Sequence, residues 1–414
     1  MIDINKIRSD QESVKQALLK RMAKADLDLD KIIKLDDNRR QLIQKADGLK
    51  AERNQDSKTK PSPAVVKKMK QLGEKIKELD EKIKQAESAL TEALSALPNI
   101  PAEDVVAGGK ENNKVVSTFG QKLDFKFKPQ DHVTLATELG LIDYQRGVKM
   151  SGNGFWCYTG LGAQLEWALL NYFIDRHKKN GYTFIMPPYL LNEQSAYASG
   201  HLPKFKDDLY WTQDNTCLNA TAEMMLTNYH RDEVLSEKDL PLKYFGYSAC
   251  FRREAGSYRK EERGMIRGHQ FNKIELFHYT KPEASAKSFT ELVGIAEKLV
   301  SDLGLHFQSV QLAAGDASAA MAKTVDIEVW LPSMGVYKEV SSVSNASDYQ
   351  ARRANIRYKD SASGKNEFVH TLNASGLATT RIFPAILEQF QQADGSVVVP
   401  KVLQPFCGFA VIKK

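Results

Sequence analysis

Residues 251 to 275 read FRREAGSYRKEERGMIRGHQFNKIE, and four of them carry side chains able to hold a base and an anion together. Arg252 offers a guanidinium fork for a phosphate or carboxylate, and Glu254 and Glu275 each offer a carboxylate, a group that accepts from an exocyclic amine. Phe271 offers a ring face for a base, with Glu275 four residues beyond it. A strand projects every second side chain from one face. If YFGYSACFRRE and QFNKIELFHY pair as strands, Arg252, Glu254, Phe271 and Glu275 are expected on one surface. The connection AGSYRKEERGMIRGH is longer than ordinary hairpin loops and reads as functional. The plainer reading is a surface hairpin laced with ion pairs, which charges interleaved with aromatics of buried type disfavour.

The elements that must carry these residues follow from apolar spacing. Apolar positions 161, 165, 169, 172 and 173 form one helical face, and GYTFIMPPYL then reads as a strand closed by Pro187 and Pro188. VDIEVWLP, VYKEVSSVS and FVHTLN are further strands, and GLATTRIFPAILEQFQ is a helix near the C-terminus. Consecutive strands without intervening helices predict an antiparallel α+β domain flanked by helices. Upstream, Met69, Leu72, Ile76, Leu79, Ile83, Ala86, Leu90 and Leu97 follow three- and four-residue steps, and Leu35, Leu42 and Leu49 recur every seven. These are two heptad seams on either side of SKTKPSPA. Pro61 and Pro63 cannot continue a helix, so the legs must fold back as an antiparallel coiled-coil arm, each reaching roughly 45 Å.

Charge is uneven along the 414 residues: the net charge is +6, and Lys31 to Leu97 holds 16 Lys and Arg against 11 Asp and Glu. The hairpin tip carries Lys58, Lys60, Lys67, Lys68 and Lys70. A basic arm on a nearly neutral body suggests a polyanionic partner, although lysines that merely keep a coiled coil soluble would look the same. Cys157, Cys217, Cys250 and Cys407 lie far apart without zinc-like spacing, so neither a disulfide framework nor zinc is expected. No run of 18 apolar residues and no signal-peptide core occur, which predicts a cytoplasmic protein with no membrane partner.

With these elements in place, the order of motifs resembles the class II aminoacyl-tRNA synthetases and, in detail, the seryl-tRNA synthetase family. GYTFIMPP is similar to that family's motif 1, FRREAGSYRKEERGMIRGHQFNKIE to motif 2, and LNASGLATTR to motif 3. TAE at 221 to 223 is similar to its serine-binding signature, and EVSSVSNASDYQARRANIRY to its metal and ATP segment. The arm ending in LPNIP stands where the family has its tRNA-binding coiled coil. The resemblance spans essentially the whole chain. It implies an N-terminal helical tRNA-binding domain over 1–102, with the arm at about 28–97, a linker over 103–120 and a class II catalytic domain over 121–414.

Roles implied by the resemblance fall on matching positions. Arg252 would hold the α-phosphate and the serine carboxylate, Glu254 would accept from the adenine amine, and Phe271 would stack on adenine. Arg253 would join them in binding ATP. Arg267 and Arg381 would hold the γ-phosphate end of a bent ATP. Glu339 and Ser342 would ligate Mg²⁺, with Val340 and Ser341 completing that stretch of the ATP site. Thr221, Ala222 and Glu223 would receive the serine ammonium, and Glu275, Asn373 and Ser375 the hydroxyl end. Arg252, Glu275 and Arg381 would be the catalytic set. The implied activity is serine–tRNA ligase: ATP and L-serine form seryl-adenylate, and the seryl group passes to the terminal adenosine of tRNA(Ser), with tRNA(Sec) left open as a second acceptor. A homodimer is implied as well.

Three stretches depart from the family's usual pattern. SYRKEERG stands where a Gly and Asp-Thr commonly precede the Arg-Gly pair, LNASG where LNGSG is common, and VLQPFCGF where a basic and a Tyr-Met pairing is usual. The loop change bears on how the acceptor end of tRNA is received, and Ala374 adds a methyl beside Ser375. Two other functions fit parts of the pattern. A seryl-adenylate-forming paralogue with a non-tRNA acceptor is set apart by a tRNA-charging assay. A non-catalytic RNA-binding coiled-coil protein is set apart by its failure to bind ATP.

Overall fold

The computed structural model describes residues 1–58, 62–255 and 264–414. Lys60, Pro61 and most of SYRKEERG lie outside the described residues. The described chain divides into two units, Met1–Ile100 and Pro101–Lys414.

In the first unit, α1 (Leu29–Asp56) starts where the Asp28 side chain accepts from the Lys31 amide, and α2 (Pro63–Ala96) where Ser62 caps Val65 and Pro63 fills the first turn. At 28 and 34 residues they extend about 42 and 51 Å. They run antiparallel: Lys50 pairs with Asp80 at 2.9 Å, and Lys68 reaches both Glu52 at 2.9 Å and Asp56 at 2.8 Å. The seam on α2 follows the expected heptads, with Leu72, Ile76, Ala86 and Leu90 buried. On α1 the register differs. Ile32 and Ala46 are buried, whereas Leu35, Leu42 and Leu49 are half-covered. Asp36 is fully buried on the same helix, held by Arg39 at 2.8 Å and Arg8 at 3.4 Å. At the base, two short helices (Ile4–Ser9 and Gln11–Leu18) bring Ile7, Val14 and Leu18 against Leu29, Ile32, Leu90 and Leu94.

The second unit is built on eight strands: β1 (Lys114–Phe119), β2 (Thr183–Ile185), β3 (Leu242–Phe251), β4 (Gln270–Thr280), β5 (Phe307–Gln311), β6 (Lys323–Leu331), β7 (Val336–Ser347) and β8 (His370–Ala378). Their order is β1-β5-β6-β7-β8-β4-β3-β2. Every neighbouring pair is antiparallel except β2 with β3. Ile274, Leu276, Ile327, Val343 and Leu372 join one core with Leu165, Leu169 and Phe173 of α3 (Gly160–Lys179), Leu292 of α4 (Ser285–Asp302), and Ile382 and Phe383 of α5 (Thr379–Phe390). The alternate positions of β4, β7 and β8 face a polar cavity, so a single alternation assigns one face to the core and the other to chemistry.

Several boundaries differ from the sequence expectation. The helix begun at residue 160 continues to Lys179 through the polar turn DRHKK, which has no apolar stripe to mark it. The residues Gly376, Leu377 and Ala378, expected to open a helix, extend β8, where Ala378 still pairs with Lys273. Strand pairing overrides local helix propensity there. GYTFIMPP contributes only Thr183–Ile185 to the sheet, because the prolines beyond it have no amide hydrogen to pair. The 103–120 stretch, expected as a linker, contains β1, which pairs along β5. Among the described residues no helix is long and apolar enough to cross a membrane.

Candidate active site

Ladder register brings the expected residues together. Glu275 on β4 stands between Gly246 of β3 and Ser375 of β8, and Phe271, Lys273 and Glu275 share its polar face by two-residue alternation. On β7, Glu339 and Ser342 are three residues apart, a spacing that puts side chains on opposite faces of a regular strand. Here the ladder slips: Glu339 pairs with Glu328 and Ser341 with Ile327, leaving Val340 as the extra residue of a bulge. Glu339 and Ser342 therefore come to the same face, opposite Glu328 and Asp326 of β6. The resulting cavity is about 510 Å³ and is lined by Thr221, Glu223, Arg252, Glu275, Ser342 and Arg381, among others. A cleft of about 70 Å³ adjoins it, with Phe271 and Val340 in its wall.

At one end the polar groups are linked by hydrogen bonds. Glu275 is buried and accepts from Asn373 Nδ2 at 3.0 Å and Thr221 Oγ1 at 3.4 Å, and Lys273 Nζ lies 2.5 Å from its second oxygen. Thr221 also caps the short helix that follows, its Oγ1 accepting from the Glu223 amide at 3.2 Å. Glu223 accepts from Gln350 Nε2 at 2.7 Å, and Gln350 is fixed in turn by Thr371 Oγ1 at 2.7 Å. Burial, reinforced by the neighbouring Glu275 charge, pushes the Glu223 carboxyl up to about 7.

At the other end the cations are already aimed. The Arg252 guanidinium lies 5.1 Å from the centroid of the Phe271 ring, and its Nε donates to the Ala220 carbonyl at 3.3 Å. Glu254 and Arg267 pair with each other at 2.5 Å. Glu254 adopts a left-handed backbone, φ 52°, which a non-glycine residue adopts at a cost and which concentrates at functional sites. Arg381 reaches the Glu339 carbonyl at 2.6 Å and its carboxylate at 3.5 Å.

Some expected positions lie elsewhere. β3 ends at Phe251, so Arg252 and Glu254 follow the strand instead of riding on it. Arg253 is absent from the cavity wall, and its amide donates to the Asp208 carbonyl. Ser341 points away, its hydroxyl donating to the Ser375 carbonyl at 2.6 Å. Ala222 is buried at the start of the helix Ala222–Leu226 that Thr221 caps, and Ala374 packs its methyl into the core, not beside the pocket.

Lys273, Gln350, His201 and Asp326 are among the residues in or beside the site that were not singled out by sequence. Lys273 had a signal available, since it sits on the same two-residue period as Phe271 and Glu275. Gln350 and His201 had none. His201 lines the cavity, and burial together with Arg252 and Lys273 holds its imidazole well below the usual range, hence neutral. Asp326 is buried beside Glu339 and Ser342, with Oδ1 lacking any hydrogen-bond partner among the described residues. Burial and the Glu339 charge raise its carboxyl strongly.

Comparison with known proteins matches both units. Residues 1–101 match the seryl-tRNA synthetase N-terminal domain, and residues 204–390 the tRNA synthetase class II core domain (G, H, P, S and T). Serine–tRNA ligase 2 of Clostridium acetobutylicum is 54% identical, with 99% of each chain covered. Serine–tRNA ligase of Bacillus subtilis is 46% identical over 100% of both. Among solved structures, the seryl-tRNA synthetase of Pyrococcus horikoshii complexed with ATP superposes with a TM-score of 0.92 at 34% identity, covering 100% of this chain and 99% of that one.

Proposed function

The chain belongs to the seryl-tRNA synthetase family, and from that premise we propose that it is an ATP-dependent serine–tRNA ligase, forming seryl-adenylate and passing the seryl group to tRNA(Ser). The observation that carries the reading is the continuous polar wall along β4. It leads from Phe271 to Glu275 and has guanidinium groups at one end and a buried carboxylate network at the other.

Serine enters with its ammonium at Thr221 and Glu223 and its hydroxyl at Glu275 and Ser375, while Asn373 orients the Glu275 carboxylate. A buried carboxylate left without a hydroxyl is unsatisfied, which rejects alanine. Adenine stacks on Phe271 and its amine donates to Glu254, a carboxylate that Arg267 holds through one oxygen. Arg267, with Arg381, takes the γ-phosphate. Arg252 spans the serine carboxylate and the α-phosphate. The carboxylate oxygen attacks phosphorus, the bond to the β-phosphate breaks and pyrophosphate leaves, so no general base is needed. Orientation and charge neutralisation account for the rate.

Glu339 and Ser342 would hold Mg²⁺. The unpartnered Asp326 oxygen beside them fits a hard cation. Among the described residues no set of three His, Cys, Asp or Glu side chains encloses a metal ion, so ATP phosphates would complete its shell. Mg²⁺ would neutralise the phosphates and orient them in line. The first unit, with its basic hairpin, serves as the tRNA-binding domain. We further infer a cytoplasmic homodimer formed through the region of β2 and α3, whose exposed Met186 and Trp167 suit an apolar contact.

Serine-dependent exchange of pyrophosphate into ATP, run with all twenty amino acids, tests the first half of the reaction, and charging of tRNA(Ser) tests the second. Exchange with another amino acid, or with none, overturns the assignment.

A further inference from the structure

Lys273 has no role in the scheme for serine and ATP, yet it stands between the two ends of the site. Phe271, Lys273 and Glu275 follow one another on one face of β4. At about 3.3 Å per residue the ring and the carboxylate are about 13 Å apart along the strand, with Lys273 midway. It lines both the 510 Å³ cavity and the adjoining cleft, and it is 6% exposed. A lysine is rarely so buried unless its charge is used. Among the described residues its polar partner is the Glu275 carboxylate, at 2.5 Å. An ammonium has three donors, so capacity remains for an oxyanion arriving beside it.

We propose that Lys273 is a catalytic residue of serine activation, gripping with Arg252 the oxyanions where the serine carboxylate meets the α-phosphate. This rests on the proposed serine–tRNA ligase activity, which makes the Phe271 end the nucleotide site and the Glu275 end the serine site. The two cations divide the work by geometry. Arg252 comes from beyond the end of β3 and covers the ring, whereas Lys273 rises from the floor of β4. As the acyl–oxygen–phosphorus bond forms and the phosphorus–oxygen bond to pyrophosphate breaks, negative charge on the α-phosphate oxygens concentrates at this midpoint. A point charge fixed there stabilises it without giving up a proton. Glu275 remains held by Thr221 and Asn373, so its binding of the serine hydroxyl does not depend on Lys273 alone.

The alternative is that Lys273 serves only as the counter-ion of Glu275, and the two readings separate kinetically. Pyrophosphate exchange is measured for the parent, Lys273→Met and Lys273→Arg at saturating serine and ATP, with KM for serine, the serine-to-alanine preference and thermal melting followed in each. The proposal expects kcat to fall about 100-fold or more in Lys273→Met, with the serine preference retained, and Lys273→Arg to recover to within about tenfold of the parent. If kcat in Lys273→Met stays within about threefold while KM and the serine preference collapse, Lys273 is a counter-ion and the proposal falls. Should the methionine variant fail to fold, Lys273→Gln gives the same comparison with a polar side chain. A parent that shows no serine-dependent exchange would overturn the functional reading itself, an outcome distinct from an active parent with an indifferent Lys273.

Discussion

Glu223 combines two properties that make its titration observable. It is the carboxylate assigned to the serine ammonium, and in the free enzyme burial, with the Glu275 charge behind it, raises its carboxyl to about 7. The ammonium needs the ionised form. Below about pH 7 binding must first remove a proton, so serine affinity should weaken by up to about tenfold per unit as pH falls from 7. It should level off above 7 until the substrate's own ammonium deprotonates. Glu223→Gln should bind serine poorly and with little dependence on pH in this range. Calorimetric titration with serine at pH 5.5 to 8.5 measures both, and a flat parent profile would remove Glu223 from the ammonium site. Glu275 makes a different prediction because its partners surround it completely. Glu275→Ala should lower serine activation about 100-fold or more, as expected for a lost hydrogen bond to a charged group of about 3 kcal/mol. The preference for serine over alanine should narrow in pyrophosphate exchange, and unchanged selectivity would rule out Glu275 as the hydroxyl acceptor.

Single elements decide which of these residues meet. Phe271 and Glu275 were legible in the sequence because strand alternation is a local rule, and Arg252 because it closes the preceding run. Glu339 and Ser342 were legible only through the resemblance. Their common face is made by a bulge at Val340, and a bulge is a relation between β7 and β6 that no spacing within β7 can reveal. The fold class and both legs of the arm could be read from periodicity, whereas the end of α3 and the length of β8 could not, since polar helix ends and strand pairing leave no apolar period. α3 also carries a group that sequence alone would place at the surface. Glu166 is buried, its Oε1 accepts from Thr379 at 2.6 Å and Asn272 at 2.8 Å, and its Oε2 has no partner among the described residues. Burial raises its carboxyl from 4.5 to about 7. A raised carboxyl weakens folding once ionised, so the cost is absent below about pH 4.5, grows up to about 7 and is constant beyond. Glu166→Gln keeps the accepting oxygen and removes the charge, so at pH 8 it should stabilise the protein by on the order of 1–3 kcal/mol, and near pH 4.5 hardly at all. Urea denaturation at the two pH values tests this, and equal effects at both would show that charge is not the cause.

At the scale of the whole molecule, the proposed roles fall on different units, because every proposed ATP and serine ligand lies beyond residue 200 while the basic excess lies before residue 100. From Arg40 to Ala86 there are 13 Lys and Arg against 7 Asp and Glu. Lys50, Lys68 and Lys82 are taken up by ion pairs within the hairpin, but Lys67, Lys70, Lys75 and Lys77 have no carboxylate partner among the described residues. Unpaired lysines on a long helix suit a phosphate backbone, since RNA duplexes are met chiefly through shape and backbone charge. Replacing 40–86 with a short Gly/Ser linker removes this stretch yet keeps Leu29, Ile32, Leu90 and Leu94 packed on the N-terminal helices, so the base of the hairpin has reason to stay folded. Serine-dependent pyrophosphate exchange should be nearly unchanged in the shortened protein, whereas tRNA charging should drop by orders of magnitude. Affinity for tRNA plotted against log salt should also fall less steeply, by about 0.7–0.9 in slope for each phosphate that the hairpin no longer neutralises. Equal slopes and equal charging in the two proteins would make the hairpin a scaffold and take the tRNA-binding role away from it.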